Sequence, residues 1–164
     1  MNRYYMVLLL VPLLLAAPRQ GQQPSYVNQA QAEPGDTTRA VAEEGIKHLL
    51  VAQVEAWNHG NLQGFMNGYW HSPDLTFFSG TTITKGWEPT FERYQQRYKG
   101  EGKEMGHLEF LDLNIDLLER NAAVVTGKWQ LTMSDGKKPG GLFTLILKRR
   151  PEGWRIVHDH TSGG

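Results

Sequence analysis

The spacing of apolar residues changes once along this chain, and the change limits the folds open to it. Between residues 39 and 98, apolar side chains recur every three or four positions, as on one face of an α-helix. Beyond a glycine-containing loop at residues 99–104 they recur at every second position, as on one face of a β-strand. Helices followed by a run of strands predict an α+β domain rather than alternating β-α-β units.

The first half predicts three helices. The first runs from Arg39 to Asn58, with Thr37 or Thr38 as its cap. The second is short and follows Gly60, with Asn61 as its cap. Two short strands are expected at residues 75–79 and 81–84, before the third helix at residues 87–99.

The third predicted helix carries an aromatic stripe. Its members recur at helical spacing, and they are Trp87, Phe91, Tyr94 and Tyr98. The opposite face carries charged and amide side chains that are expected to point into solvent, namely Glu92, Arg93, Gln96 and Arg97. Packing in the core explains the stripe most simply. The alternative places Trp87 and Tyr94 on one wall of a ligand cavity.

The second half predicts four long antiparallel strands. The alternation along residues 108–117 changes phase at Leu111 and Asp112, which indicates a β-bulge that bends the strand. Further alternating segments lie at residues 123–133 and 143–147, and the last strand covers residues 153–162. The expected fold is a bent antiparallel sheet with the three N-terminal helices on its concave face.

The N-terminal segment differs from the rest of the chain. Residues 6–17 form an apolar run after Arg3, shorter than the roughly 18 residues of a membrane span, which is typical of a secretory signal. We therefore expect an exported protein, periplasmic or extracellular, with an uncleaved N-terminal anchor as the alternative. Residues 18–36 are rich in Gln, Pro, Ala and Ser and predict a disordered linker, so the folded domain is expected at residues 37–164.

Composition gives no support for some partners and excludes sites that need cysteine. Lys plus Arg and Asp plus Glu both number 17, so the net charge gives no reason to expect nucleic acid or an anionic membrane as partner. Cysteine is absent from the sequence, which excludes disulfides, thiolate nucleophiles and cysteine-ligated metals. The 5 Trp, 6 Tyr and 6 Phe are suited to filling a core or lining a small-molecule cavity.

Two segments of the sequence resemble a known superfamily. They are residues 56–61 (AWNHGN) and residues 154–162 (WRIVHDHTS). With the order of helices and strands, they resemble the nuclear-transport-factor-2-like (NTF2-like) superfamily, and within it the SnoaL-like proteins of the "domain of unknown function 4440" kind. The late segment is also similar to the last strand of the calcium/calmodulin-dependent protein kinase II association domain. The resemblance covers residues 37–163.

The resemblance implies a cone-shaped α+β barrel, open at one end, that forms a homodimer through its sheet. The strand positions that line the cavity of the association domain match Trp129, Leu145 and Thr161 in this sequence, and none of these three residues is basic. The association domain has an arginine-lined cavity, so a more apolar cavity for a small molecule is implied here. The full set of residues expected to line the cavity is Tyr69, Phe78, Trp87, Tyr94, Trp129, Leu145, Val157 and Thr161.

Two arguments disagree on which face of the last strand points into the interior of the domain. Alternation puts Trp154, Ile156, His158 and His160 on one face, and Arg155, Val157, Asp159 and Thr161 on the other. A four-residue turn at residues 150–153 would put His158 inside. The resemblance instead puts Asp159 and Thr161 inside and both histidines on the dimer-facing side. We follow the resemblance, because an error of one residue in the turn reverses every side chain.

Asp159 is the principal catalytic candidate. Burial in an apolar cavity would raise its pKa into the range of a general acid or base, while Tyr69 or Tyr94 donates a hydrogen bond to a substrate carbonyl oxygen. Isomerase, cyclase or dehydratase-like chemistry of this kind needs no metal and no cofactor. In the alternative, Asp159 forms an ion pair with Arg155 or caps backbone groups near the C-terminus. The protein is then a non-catalytic binding or assembly domain.

His158 and His160 are secondary catalytic candidates. Together with His107 they could also hold a metal ion, but no third ligand is set by a motif. Histidines that hydrogen-bond at a dimer surface are the simpler interpretation, so we predict no metal.

Overall fold

Residues 34–163, the part described by the computed structural model, form three helices and six strands. The helices are α1 (Pro34–Asn58), α2 (Leu62–Met66) and α3 (Trp87–Tyr98). The strands are β1 (Thr76–Ser79), β2 (Thr82–Lys85), β3 (His107–Glu119), β4 (Ala122–Thr132), β5 (Gly140–Arg150) and β6 (Gly153–Thr161). The α+β class is confirmed, with the short strand pair before the third helix and four long strands after it.

The observed start of α2 agrees with the start predicted from the sequence, whereas the observed start of α1 differs from it. The side chain of Asn61 caps α2 by accepting a hydrogen bond of 2.8 Å from the Gly64 N–H, and Gly60 before it has a φ of 70°. In contrast, α1 begins at Pro34, so Thr37 lies inside the helix and the last residues of the predicted linker are helical. No helix in residues 34–163 is long and apolar enough to cross a membrane.

The predicted signal segment at residues 1–17, and the linker up to residue 33, lie outside the described residues.

The strands form one sheet in the order β2-β1-β6-β5-β4-β3. All neighbours are antiparallel except β1 and β6, which run parallel, so the sheet is mixed rather than wholly antiparallel as expected. The parallel pair is possible because the long connection through α3 and four further strands separates β1 from β6. Within the described residues the edge strands β2 and β3 do not pair, so the sheet curves into an open cone rather than a closed barrel.

Irregular pairing in β3 and in β6 shapes the long strands. In β3 the pairing with β4 shifts between Leu111 and Asn114, and Asp112 takes a left-handed backbone with a φ of 52°, so the predicted bulge is confirmed. In β6 the pairing with β5 shifts after Ile156 and leaves Val157 as the extra residue. Neither this bulge nor a further register shift in β3, between Leu117 and Glu119, was predicted from the sequence.

Asn58 and Trp57, at the end of α1, attach this helix to the start of β3. The Asn58 amide accepts a hydrogen bond of 2.7 Å from the Leu108 N–H and donates one of 3.1 Å to the Leu108 carbonyl. The Trp57 indole N–H donates to the carbonyls of Met105 and Gly106, at 3.1 and 3.2 Å. The helices therefore lie over the inner face of the sheet, and their apolar residues form one core with it.

Candidate functional site

A cavity of about 120 Å³ lies between the helices and the inner face of the sheet. Aromatic rings dominate its wall, and they include Trp57, Phe65, Tyr69, Phe77, Tyr94, Tyr98, Phe110, Trp129 and Phe143. Most of the rings pack edge-on or tilted against one another, as Trp57 does on Phe65 at 5.0 Å between centroids, whereas Tyr94 and Tyr98 are stacked at 5.8 Å. Pockets for drug-sized ligands are about 300–1,000 Å³. This cavity therefore suits one ring-sized apolar group.

Asp159 is the acidic side chain of this cavity. It lies on β6 opposite Leu145 of β5, and it is 4% exposed. The Tyr69 hydroxyl donates a hydrogen bond of 2.8 Å to its Oδ2 atom. Its Oδ1 atom is buried and has no hydrogen-bond partner within the described part of the chain. One carboxyl oxygen is thus fixed by the protein, and the other has free hydrogen-bonding capacity.

Burial changes the acidity of the groups around Asp159. It raises the pKa of Asp159 from 3.8 to about 7, although the hydrogen bond from Tyr69 opposes the shift. Near neutral pH both protonation states of this carboxyl are therefore populated. Burial, reinforced by the Asp159 carboxylate, also raises the pKa of Tyr69 and of Tyr94 well above the usual value. Both phenols accordingly stay protonated as hydrogen-bond donors.

The bulge at Val157 explains why Asp159 points inward. Before the bulge, Trp154 and Ile156 are buried, as the turn-length argument required. After the extra residue the alternation is reversed, so Asp159 and Thr161 face the cavity, as the resemblance required. The two arguments each hold for one half of the strand, because a bulge shifts the side-chain alternation by one residue.

His158 and His160 lie on the outer face of the sheet. His158 shares a hydrogen bond of 2.6 Å with the Thr76 hydroxyl, and both imidazoles contact the ring of Phe78 edge-on, at 4.9 and 6.0 Å between centroids. Neither histidine lines the cavity, so the structure does not place them where they could act with Asp159.

A metal site built from His107, His158 and His160 is not compatible with the sheet order. Strands β5 and β4 separate β6 from β3, which puts His107 three strand spacings, about 14 Å, from the other two. Among residues 34–163, no group of three His, Asp or Glu side chains is placed to hold a metal ion.

The alternative pairing of Asp159 with Arg155 is absent from the described residues. The Arg155 guanidinium donates a hydrogen bond of 2.6 Å to the Trp154 carbonyl instead.

Most of the residues expected to line the cavity do so. They are Tyr69, Tyr94, Trp129, Leu145 and Thr161. Three others lie elsewhere: Phe78 points outward because its neighbour Phe77 points inward, and Val157 is the bulged residue. Trp87 lies in the core beside the cavity. Its indole N–H donates a hydrogen bond of 3.1 Å to the Met66 carbonyl, and its ring stacks on His71.

Five polar residues of the cavity wall were missed from the sequence: Gln53, Ser79, Arg93, Arg97 and Ser162. Gln53 is buried and donates a hydrogen bond of 3.0 Å to the Phe65 carbonyl. Arg93 and Arg97 were expected to point into solvent; Arg97 is exposed as expected and Arg93 is half-buried, but both also line the cavity. One signal in the sequence could have found the two arginines. Each directly precedes a tyrosine of the aromatic stripe, Tyr94 or Tyr98, so the arginines lie beside the stripe on the surface of α3.

Comparisons with known proteins agree with this architecture. The family model of the SnoaL-like domain matches residues 46–163. An NTF2-like protein of unknown function from Shewanella oneidensis MR-1 is 35% identical over 73% of this chain and 98% of its own, with a TM-score of 0.68. An NTF2-like superfamily protein from Salmonella enterica serovar Typhimurium LT2 is 22% identical over 76% of this chain and 92% of its own, with a TM-score of 0.64.

A third solved structure has a similar fold. It is a domain from Xanthomonas campestris that is named after the calcium/calmodulin-dependent protein kinase II association domain. It is 19% identical over 73% of this chain and 85% of its own, with a TM-score of 0.54. No curated protein matches this sequence significantly. The match to the family model and the Shewanella relative together show that this chain belongs to the SnoaL-like family of the NTF2-like superfamily.

Proposed function

We propose that this protein binds a small, largely apolar carbonyl compound in its cavity and transfers a proton on it through Asp159. The observation that carries the proposal is the state of this carboxyl. It is buried among aromatic rings, its pKa is raised to about 7, one oxygen is held by Tyr69, and the other has no partner within the described residues. A general acid or base works best with a pKa near the ambient pH.

The proposed step is an isomerisation that needs no oxidant or reductant. The Asp159 carboxylate takes a proton from a carbon beside the substrate carbonyl, which leaves an enolate and a neutral carboxylic acid. The acid then returns the proton to a different carbon of the same molecule. Tyr94 supports this step as a hydrogen-bond donor to the enolate oxygen, because Tyr69 already donates to Asp159.

Binding without chemistry is the second candidate, and the small volume of the cavity favours it. A wall of rings around about 120 Å³ would hold the apolar end of a ligand whether or not a proton moves. In that case Asp159 orients the ligand through a hydrogen bond.

Hydrogen–deuterium exchange tests the proton transfer without knowledge of the natural substrate. Phenylacetone, an uncharged aryl ketone, would be incubated with the protein in deuterated buffer, and loss of its C–H signal beside the carbonyl followed by proton NMR. We expect the wild type to accelerate exchange and Asp159→Asn to lower the rate at least about 100-fold. Asp116→Asn, an exposed substitution on β3, should leave the rate unchanged.

Exchange in the wild type no faster than in Asp159→Asn would contradict the proposed chemistry. Saturable binding of phenylacetone without any exchange would instead support the binding function. Circular dichroism of each variant would establish that it is folded.

We also propose a homodimer through the outer face of the sheet. Leu111 and Leu142 are 39% and 59% exposed, and they flank Lys128 in one cross-strand row of β3, β4 and β5. Exposed leucines in such a row favour a protein–protein contact. Export remains a proposal that rests on the basic start and short apolar run of residues 1–17.

A further inference from the structure

We propose that Arg93 and Arg97 form an anion-binding subsite at the mouth of the cavity, so that the ligand is an apolar acid with its carboxylate between the two guanidinium groups. The inference deepens the proposed function and rests on the same cavity. It concerns binding, which can be measured without turnover.

The position of the two arginines places positive charge at the open end of the cavity. Both lie on α3, one helical turn apart, and both line the cavity together with Tyr94 and Tyr98. Arg97 is exposed and Arg93 is half-buried, whereas Asp159 is buried. The cavity therefore runs from a cationic rim to an acid at its closed end.

Contacts with neighbouring side chains hold each guanidinium without neutralising its charge. Arg93 donates a hydrogen bond of 3.2 Å from Nη1 to the Thr84 hydroxyl, and it lies 5.6 Å from the ring centroid of Phe77. Arg97 donates a hydrogen bond of 3.1 Å from Nε to the Tyr98 hydroxyl, and its guanidinium lies 5.4 Å from the centroid of the Tyr98 ring. These contacts order the side chains before a ligand arrives.

Neither arginine has an acidic partner among residues 34–163. The ion pairs found among these residues involve other side chains, and the hydrogen bonds above use one N–H of each guanidinium. A guanidinium carries five N–H donors in a planar arrangement that matches a carboxylate. Two unpaired guanidinium groups beside an apolar cavity are thus suited to an anionic ligand group, and more so than lysines would be.

The acid at the closed end does not compete for these cations. Burial accounts for the raised pKa of Asp159, against which only the Tyr69 hydrogen bond acts. The carboxyl is accordingly neutral below about pH 7 and does not repel an incoming carboxylate. With a ring-sized apolar interior, the ligand class that fits is an aryl or cyclic carboxylic acid.

Paired probes of the same shape and different charge test this subsite. Phenylacetate and phenylacetamide would be titrated at pH 6 and followed by NMR. We expect the wild type to bind phenylacetate at least about tenfold tighter, and added salt to weaken only this probe. In Arg93→Gln/Arg97→Gln the preference should fall to about twofold or less, and Arg97→Gln alone should be intermediate. Arg39→Gln/Arg120→Gln removes the same charge far from the cavity and should keep the preference.

Equal affinity of the wild type for both probes would overturn the inference. So would a preference that survives in Arg93→Gln/Arg97→Gln, or the absence of saturable phenylacetate binding to the wild type. Asp159→Asn separates the two proposals. If it keeps the preference while the wild type shows no exchange on phenylacetone, only the proton transfer fails. If exchange depends on Asp159 but the charge preference is missing, only the anion subsite fails.

Discussion

A single residue, Asp159, is expected to make the stability of the whole domain depend on pH. Its pKa is about 7 when folded, against an ordinary value of 3.8. Between these values the unfolded chain binds fewer protons at this site than the folded protein, so the free energy of unfolding falls as pH rises. At 1.36 kcal/mol per pKa unit the loss between pH 4 and 7 is roughly 4 kcal/mol.

Urea unfolding from pH 4 to 8 would measure this effect in the wild type and in Asp159→Asn. The asparagine variant lacks the titrating group, so its stability relative to the wild type should rise with pH and level off above about 7. Asp116→Asn, which changes an exposed carboxylate, should show no such trend. Parallel pH profiles for the wild type and Asp159→Asn would mean that Asp159 titrates normally.

At the scale of elements, Asn58 is expected to carry much of the attachment of α1 to β3. Its amide satisfies both backbone groups of Leu108, at 2.7 and 3.1 Å. Asn58→Ala would leave the two groups half-buried without these partners, which we expect to lower the free energy of unfolding by about 2–3 kcal/mol. Chemical denaturation measures the change, and Asn114→Ala on the exposed part of β3 is the control. A loss below about 0.5 kcal/mol would show that Trp57 and the core suffice.

The same attachment affects the cavity, because Leu108 and Trp57 both lie on its wall. Loosening the end of α1 should therefore weaken ligand binding as well as stability. Because α1 contributes to the cavity wall and is attached to the edge strand β3, a change at its end should alter both the stability of the domain and its affinity for a ligand.

For the whole molecule, the proposed dimer predicts that the wild type and a variant with a disrupted interface differ in mass in solution. Size-exclusion chromatography with light scattering should give twice the chain mass for the wild type. Leu142→Glu introduces a charge into the exposed row on β5 and should yield monomers, since burying an unpaired carboxylate is unfavourable. Val51→Glu changes a residue of similar exposure on α1 and should remain dimeric. A monomeric wild type, or a dimeric Leu142→Glu, would contradict the interface.

Part of the candidate site could be predicted from the sequence. The late motif pointed to Asp159, and the spacing on α3 pointed to Tyr94, because both signals are local. Arg93 and Arg97 were missed, since a charged residue next to an aromatic stripe usually faces solvent. Whether such a residue meets water or a cavity rim depends on where the sheet ends, and helical periodicity does not contain that information.

Local signals in the sequence determined the order of helices and strands, the cap at Asn61 and the bulge near Asp112. Each of these depends on the spacing or backbone preference of residues close together in the chain. Only the tertiary structure decided that β1 runs parallel to β6, and that the bulge at Val157 turns Asp159 inward. The reason is physical: strand direction and register are set by partners distant in sequence, and one extra residue reverses the alternation that follows it.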